Sequence, residues 1–376
     1  MNVLFMLLGV FIVYIIVKQV FRHNWNKELS VDVRFDNKHA VKDETIYLTE
    51  IVTNAKVLPL PCVNLKFQIG RELQFTDADT NSSVSDKVYR NDVFSFLSNQ
   101  RITRRIPLKC TKRGVFRISG LEITFSGPFM NEINVIKYDN DCQITVYPKV
   151  ADMKQLRPVN TRITGEVQRR KYLMDDPFVF RGIRDYTSND SLKNVNWKAT
   201  GKTGSLMVNE YDESVSRNVC ILLNLEEDGA LRYDTIDEEA ISIAAGLSEI
   251  LISQGINVSM ICNGCDTDTK EQTIVRKGAG AGHLNYINTA LARIDTHISM
   301  EEYADTLKKR VEDCVDSDFT DCIYVMISSS RRKKLQMIIS RIIQEPQSFV
   351  WIVPHLPGCE YTLDSCNVEP VGWSVN

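Results

Sequence analysis

The sequence predicts a chain of three parts: a membrane-spanning helix, an all-β sandwich, and a C-terminal α/β unit built on a parallel sheet. Three observations carry this. Val3 to Val17 is an unbroken apolar run. From about Leu29 to Tyr147, short alternating runs are broken by turn residues and no helix-length period occurs. From Ser216 onward, apolar strand-like runs alternate with amphipathic helical ones, the pattern of parallel strands covered on both faces.

The first part is residues 1–21. Counted to Phe21, the apolar stretch is roughly 20 residues, enough for a bilayer core. No Lys or Arg precedes it and no small-residue cleavage site follows, so it lacks the marks of a secretory signal. Lys18, Arg22, His23 and Lys27 come next. By the positive-inside rule they place the C-terminal body in the cytoplasm. This expects a single-pass anchor in the cell membrane. In a cytosolic body the ten cysteines stay as thiols, and Cys110, Cys220, Cys314 and Cys322 read as small buried hydrophobes.

Residues 22–149 form the second part. Leu29–Phe35, Ile46–Val52, Val63–Ile69, Arg101–Leu108, Val115–Ile118, Leu121–Phe125 and Cys142–Val146 suit an immunoglobulin-like sandwich. Leu58-Pro59-Leu60-Pro61 marks a connection, since proline cannot donate to a central ladder.

Residues 150–215 read as a polar link, Val150 to Met174, followed by a stretch dense in arginine, acid and aromatic residues. The latter runs Phe180-Arg181-Gly182-Ile183-Arg184-Asp185-Tyr186, then Asp190, Asn196-Trp197-Lys198-Ala199 and Glu210. It follows neither a helix nor a strand period, and loops of this kind tend to carry function. Two roles are open. Arg181 and Arg184 could pair with Asp190 and Glu210 while Trp197 fills a pocket beneath, locking a loop onto the sheet. Alternatively, part of the set is a docking surface, for which Arg and Trp are favoured anchors.

Residues 216–376 form the last part. Val219–Leu225, Ile256–Ile261, Gln272–Val275, Ile323–Ile327 and Phe349–Val353 read as strands. Ile236–Gln254 reads as a helix with Ile236, Ala240, Ile243, Ala244, Leu247, Ile250 and Leu251 on one stripe. Asp234 or Thr235 is its expected cap and Gly255 its exit. His283–Ile294, Met300–Cys314 and Arg331–Gln344 are further helices, with Ser299 and Glu302 expected as a capping box.

Several apparent motifs read as structure. A net charge of −3 argues against a nucleic-acid footprint. The runs Arg104-Arg105, Arg169-Arg170-Lys171 and Arg331-Arg332-Lys333-Lys334 read as solvated faces or helix ends. Cys262-Asn263-Gly264-Cys265 is expected to be a turn between strands, for no second pair stands at metal spacing. Gly201-Lys202-Thr203 lacks the glycine and upstream strand of a phosphate loop. Gly278 to His283 has histidine where a dinucleotide fingerprint wants glycine. The five histidines stand apart from any nucleophile motif, so no catalytic residue and no cofactor are assigned.

The segment "FRGIRDY…D…NWKA…LMVNEYDE" (Phe180 to Glu213) resembles the signature of a bacterial family called domain of unknown function fifty-eight. Its β domain also carries an LPLP step and an RG…DPFGL stretch. Here the latter reads Arg113-Gly114 followed by Ser126-Gly127-Pro128-Phe129-Met130. The resemblance implies a von Willebrand A-like C-terminal domain and a partnership with a MoxR-type AAA+ ATPase. It also implies a non-enzymatic adaptor or scaffold for the assembly or maturation of client proteins. In von Willebrand A domains the first strand is followed by a D-x-S-x-S metal site. The matching positions here are Asn224, Glu226 and Asp228, with Ser328-Ser329-Ser330 after the later strand. No metal is assigned, and this loop is expected to be acidic and solvated. A metal-dependent binder using it, or an unrecognised hydrolase, are the alternatives.

Overall fold

Helix α1 runs Asn2–Asn24. Its Val3–Asn24 stretch has a mean hydropathy of 2.5 and is long and apolar enough to cross a membrane. In this computed structural model the described residues are all but 1, 77–80, 85–86, 130–131, 174–179, 188–189, 212–217, 227, 229–231, 300–301, 313–318, 320–321, 344–347, 360, 364–365, 367 and 376. Cys314 therefore lies outside the described residues. The body is rich in β-structure and falls into two units, Met1–Lys149 with Leu291–Arg293, and Val150–Ala290 with Ile294–Asn376.

The first unit is two sheets. One holds β1 (Leu29–Phe35), β3 (Thr45–Asn54), β8 (Gln100–Cys110) and β5 (Leu73–Phe75), in that order. The other holds β2 (His39–Val41), β10 (Ile133–Tyr147), β9 (Gly114–Ser126), β4 (Leu60–Gly70), β7 (Lys87–Phe96) and β6 (Asn81–Val84). Strand alternation builds the core. Along β7 the inward set is Arg90, Asp92, Phe94 and Phe96, and Leu48, Leu65, Ile106, Ile123, Phe125 and Ile144 complete the apolar centre. Leu58-Pro59 lies in the β3–β4 connection as expected, but Leu60-Pro61 already opens β4. The ladder tolerates Pro61 because pairing shifts register between Leu60 and Val63.

In the second unit, the expected polar link is largely helix α2 (Met153–Leu173), with Pro158 inside it. Leu156, Val159, Ile163 and Val167 form a buried stripe at helical spacing. High charge and a proline hide that stripe from a composition reading. Beyond it come β11 (Phe180–Asp185), α3 (Trp197–Thr203), β12 (Met207–Tyr211), β13 (Asn218–Asn224), α4 (Asp234–Ser253), β14 (Asn257–Asp266), β15 (Gln272–Gly278), α5 (Gly280–Arg293), β16 (Ile294–Ser299), α6 (Tyr303–Leu307), β17 (Ile323–Ser328), α7 (Lys333–Ile342), β18 (Phe349–His355) and β19 (Pro370–Ser374).

The large sheet is ordered β15-β14-β13-β17-β18-β19, with β16 also pairing β14. All neighbours from β14 to β19 are parallel, and β15 is antiparallel. Every residue of β13 is buried, as a central parallel strand requires. A Cβ on Gly246 would stand 2.6 Å from Leu156 Cδ1, so glycine there lets α2 lie close against α4.

Three local expectations fail. The Cys262-Asn263-Gly264-Cys265 stretch is inside β14, not a turn. A Cβ on Gly264 would meet Ile294 Cγ2 at 2.5 Å, so that glycine serves packing. The N-cap of α4 is Tyr233, which makes no side-chain cap bond. Ser299 ends β16, and Glu302 stands at the N-cap of α6 without a side-chain cap bond, its carboxylate instead accepting from Lys334 Nζ at 2.7 Å, so no capping box forms. Gly255, at φ 73°, does mark the exit from α4.

Candidate functional site

The signature stretch is not a loop. Strands β11 and β12 pair antiparallel, Ile183 opposite Asn209 and Arg184 opposite Val208. Between them lie a 3-10 turn, Leu192–Asn194, and α3. Asn196 caps α3, its Oδ1 accepting from Ala199 N at 2.9 Å while its Nδ2 donates to Asn209 Oδ1 at 2.7 Å. Its own N–H donates to Met207 O. Gly204, at φ 77°, ends the helix in the left-handed conformation.

Arg184 and Asp190 form a bidentate pair, 2.7 and 2.6 Å. Thr187 adds its N–H and hydroxyl to Asp190 Oδ2 at 2.8 and 2.7 Å. The Arg184 guanidinium, then the Thr187 bonds, hold the Asp190 carboxyl well below the usual carboxylate range. Gly182 lies on β11 opposite Glu210, and Tyr186 N donates to Leu206 O. Arg181 and Glu210 are on these strands, but their side chains are outside the described residues.

Trp197 departs from the lock reading: it is 69% exposed, filling no pocket. Leu192 is 65% exposed, and Lys198 is exposed as well. The module is thus hydrogen-bonded within and carries bare apolar groups outside.

A second constellation sits where the order of the large sheet reverses, at the carboxyl ends of β13 and β17. In open α/β sheets this is the place ligands occupy. Asn224 Nδ2 donates to Ser328 Oγ at 2.9 Å, and Asn263 Nδ2 donates to Asn224 Oδ1 at 2.7 Å. Asn263 Oδ1 accepts from Leu225 N at 2.8 Å. Tyr303 N donates to Glu226 Oε1 at 2.7 Å. Ser330 Oγ and Arg331 N both donate to Asp228 at 2.6 Å. Arg332 lies 3.8 Å from Glu226 and 3.5 Å from Asp228.

This corrects the expectation of a solvated loop at Asn224 and Glu226, while Asp228 is exposed as expected. Asn224 is fully buried, Glu226 nearly so, and protein donors engage both carboxylates. Burial pushes the Glu226 carboxyl above its ordinary value. Among the described residues no group of three or more His, Cys, Asp and Glu is placed to hold a metal ion. From the sequence, Arg332 was read as part of a solvated basic run, Asn263 as part of a turn, and Ser330 as one of three serines after the later strand; none was expected to bind these acids. A polar residue such as Asn263, met inside an apolar strand, was the available signal.

Elsewhere, His283 Nε2 lies 2.7 Å from Val258 O. Its ring also fills the space a Cβ on Gly278 would need, so that glycine-rich stretch is packing. A cavity of about 910 Å³ opens on the outer face of the six-stranded sheet in the first unit, lined by Lys66, Gln68, Lys87, Tyr89 and Lys137 among others.

The family model described as protein of unknown function DUF58 matches residues 182–351. Over that span the chain is similar to this family. The match takes in most of β11 through the start of β18, hence both constellations. Comparison with curated proteins gives no match. Similar solved structures include the CARDB domain of a Pyrococcus furiosus protein (11% identity, 32% of this chain, 90% of that one, TM-score 0.22). Domains D2 and D3 of the pilin SpaD from Corynebacterium diphtheriae are similar at 11% identity, over 33% of this chain and 56% of that one, TM-score 0.23. A type I cohesin from Pseudobacteroides cellulosolvens gives 15%, 33%, 95% and 0.22. Likeness at these TM-scores transfers neither fold nor function to this chain.

Proposed function

We propose that this chain is a non-enzymatic adaptor, anchored in the cell membrane by α1 with its body in the cytoplasm. In this reading it works with a MoxR-type AAA+ ATPase in the assembly or maturation of client proteins. The observation that carries it is Trp197, 69% exposed on a module pinned by the Arg184–Asp190 pair and the Asn196 cap. An exposed tryptophan on a pre-ordered surface is the usual anchor of a protein interface.

The second unit is read as von Willebrand A-like. Counted from β13 along the main path, its strands run 3-2-1-4-5-6 with the third antiparallel, which supports that reading. The acids after β13 are engaged by Arg332, Ser330 and backbone N–H groups, which favours protein contact over cation binding. Titration calorimetry with Mg²⁺, Ca²⁺ and Mn²⁺ is expected to give no heat.

The deciding test is capture of the MoxR-type ATPase encoded in the same genome by the full-length chain in detergent. Wild type is expected to retain it and Trp197→Ala to lose it with an unchanged melting curve. No capture by wild type would overturn the reading.

A further inference from the structure

The anchor helix does not end where the sandwich begins. Tyr14, Val17, Lys18, Phe21, Asn24 and Trp25 form a stripe of reduced exposure along α1. Trp25 and Phe21 stack on Phe125, at 5.6 and 6.0 Å between ring centroids. One turn nearer the N-terminus, Lys18 Nζ meets Glu132 Oε1 at 2.6 Å. One turn nearer still, Tyr14 and Phe129 are 4.8 Å apart. Lys56 seals the junction, its Nζ donating to Trp25 O and Lys27 O at 2.8 and 2.6 Å.

Phe129 thus lies beside a residue inside the apolar run, on the membrane side of Lys18. It is 47% exposed, and Ile133, at the start of β10, is 73% exposed. The pairings Leu29–Asn54, Asn54–Gln100, Leu60–Phe96 and Ser126–Ile133 put these tips at one end of the sandwich. The neighbouring tips there, Val57 and Leu97, are also apolar and exposed. Connections at the other end carry Asp43, Glu44, Arg71 and Lys112, all exposed. One end is dressed for hydrocarbon and the other for water.

The length of the anchor points the same way. The unbroken apolar run from Val3 to Val17 spans about 22 Å at 1.5 Å per residue, so a hydrocarbon core of about 30 Å draws in the next turn of α1 as well, up to Phe21. Lys18 and its partner Glu132 then lie at the interface, where a long basic side chain keeps its head in water.

We propose that Phe129 and Ile133 enter the membrane interface beside α1, so that the sandwich is seated on the lipid bilayer and does not hang from a free tether. This rests on the membrane-anchor part of the reading above, and not on the ATPase partnership. The bilayer is the occupant because the patch continues the surface of the spanning helix.

The test places a photo-crosslinking benzoylphenylalanine at positions 8, 47, 129 and 133, one at a time. The carrier is the full-length chain in nanodiscs of mixed phosphatidylcholine and phosphatidylglycerol, with lipid adducts read by mass. Adducts at 8, 129 and 133, with none at 47 on the far end, are the expected result. Adducts at 8 alone would overturn the seating while leaving the anchor intact. Absence of adducts at 8 would remove the anchor itself, and the seating with it.

Discussion

Glu50 lies fully buried in the sandwich opposite Arg104 across the β3–β8 ladder, near the Arg90–Asp92 pair. No protein donor reaches its carboxylate oxygens, and the carboxyl in its protonated form bonds to the Asp92 carboxylate. Burial, then the Asp92 charge, pushes its carboxyl up to about 8. A carboxyl raised in the folded state holds its proton more tightly there than in the unfolded chain. Its contribution is complete below the ordinary carboxylate range and is lost as pH rises toward about 8. Thermal melts from pH 5 to 8.5 should show falling stability for wild type, and Glu50→Gln should flatten that slope. Asp190 has the opposite sign. Its depressed carboxyl stabilises the β11–β12 module above about pH 4, and that contribution fades as pH falls further. Asp190→Asn should raise amide exchange in β11 and at Thr187 with little change elsewhere. At the sheet switch point, Arg332→Ala removes the guanidinium between two acids, one of them nearly buried. The expected loss is about 0.5–1 kcal/mol, since the guanidinium is half exposed, read from denaturant melts.

At the scale of elements, what was legible followed periodicity. Helix α4 and strands β13, β14, β17 and β18 were foreseen because their apolar residues recur at 3.6 or fill a whole strand. Helix α2 was missed because its stripe is four residues wide in a charged background. What identifies it is the groove at Gly246, a feature of α4. Gly246→Val would push the two helices apart, at a cost of about 1–3 kcal/mol, measurable by urea unfolding. The signature stretch was read as a loop for a related reason. Strands β11 and β12 are each short, and Asn196 and Gly204 cap a helix of seven residues, too brief to show a period.

For the whole molecule, the apolar N-terminus, a β-rich first part and an alternating second part were written in the order of residues, since burial follows pattern. The DUF58 signature was equally legible, being a string of residue identities. Sequence alone therefore determined helix or strand where the buried face was long and apolar enough to set a period, as in α4 and β13, but not in α2, β11 or β12. The tertiary structure decided which polar groups would meet. Asn224, Asn263 and Ser328 come from three strands, Arg332 from beyond the last of them, and Phe129 finds Tyr14 across more than a hundred residues. Such pairings depend on strand order and register, which no local pattern encodes.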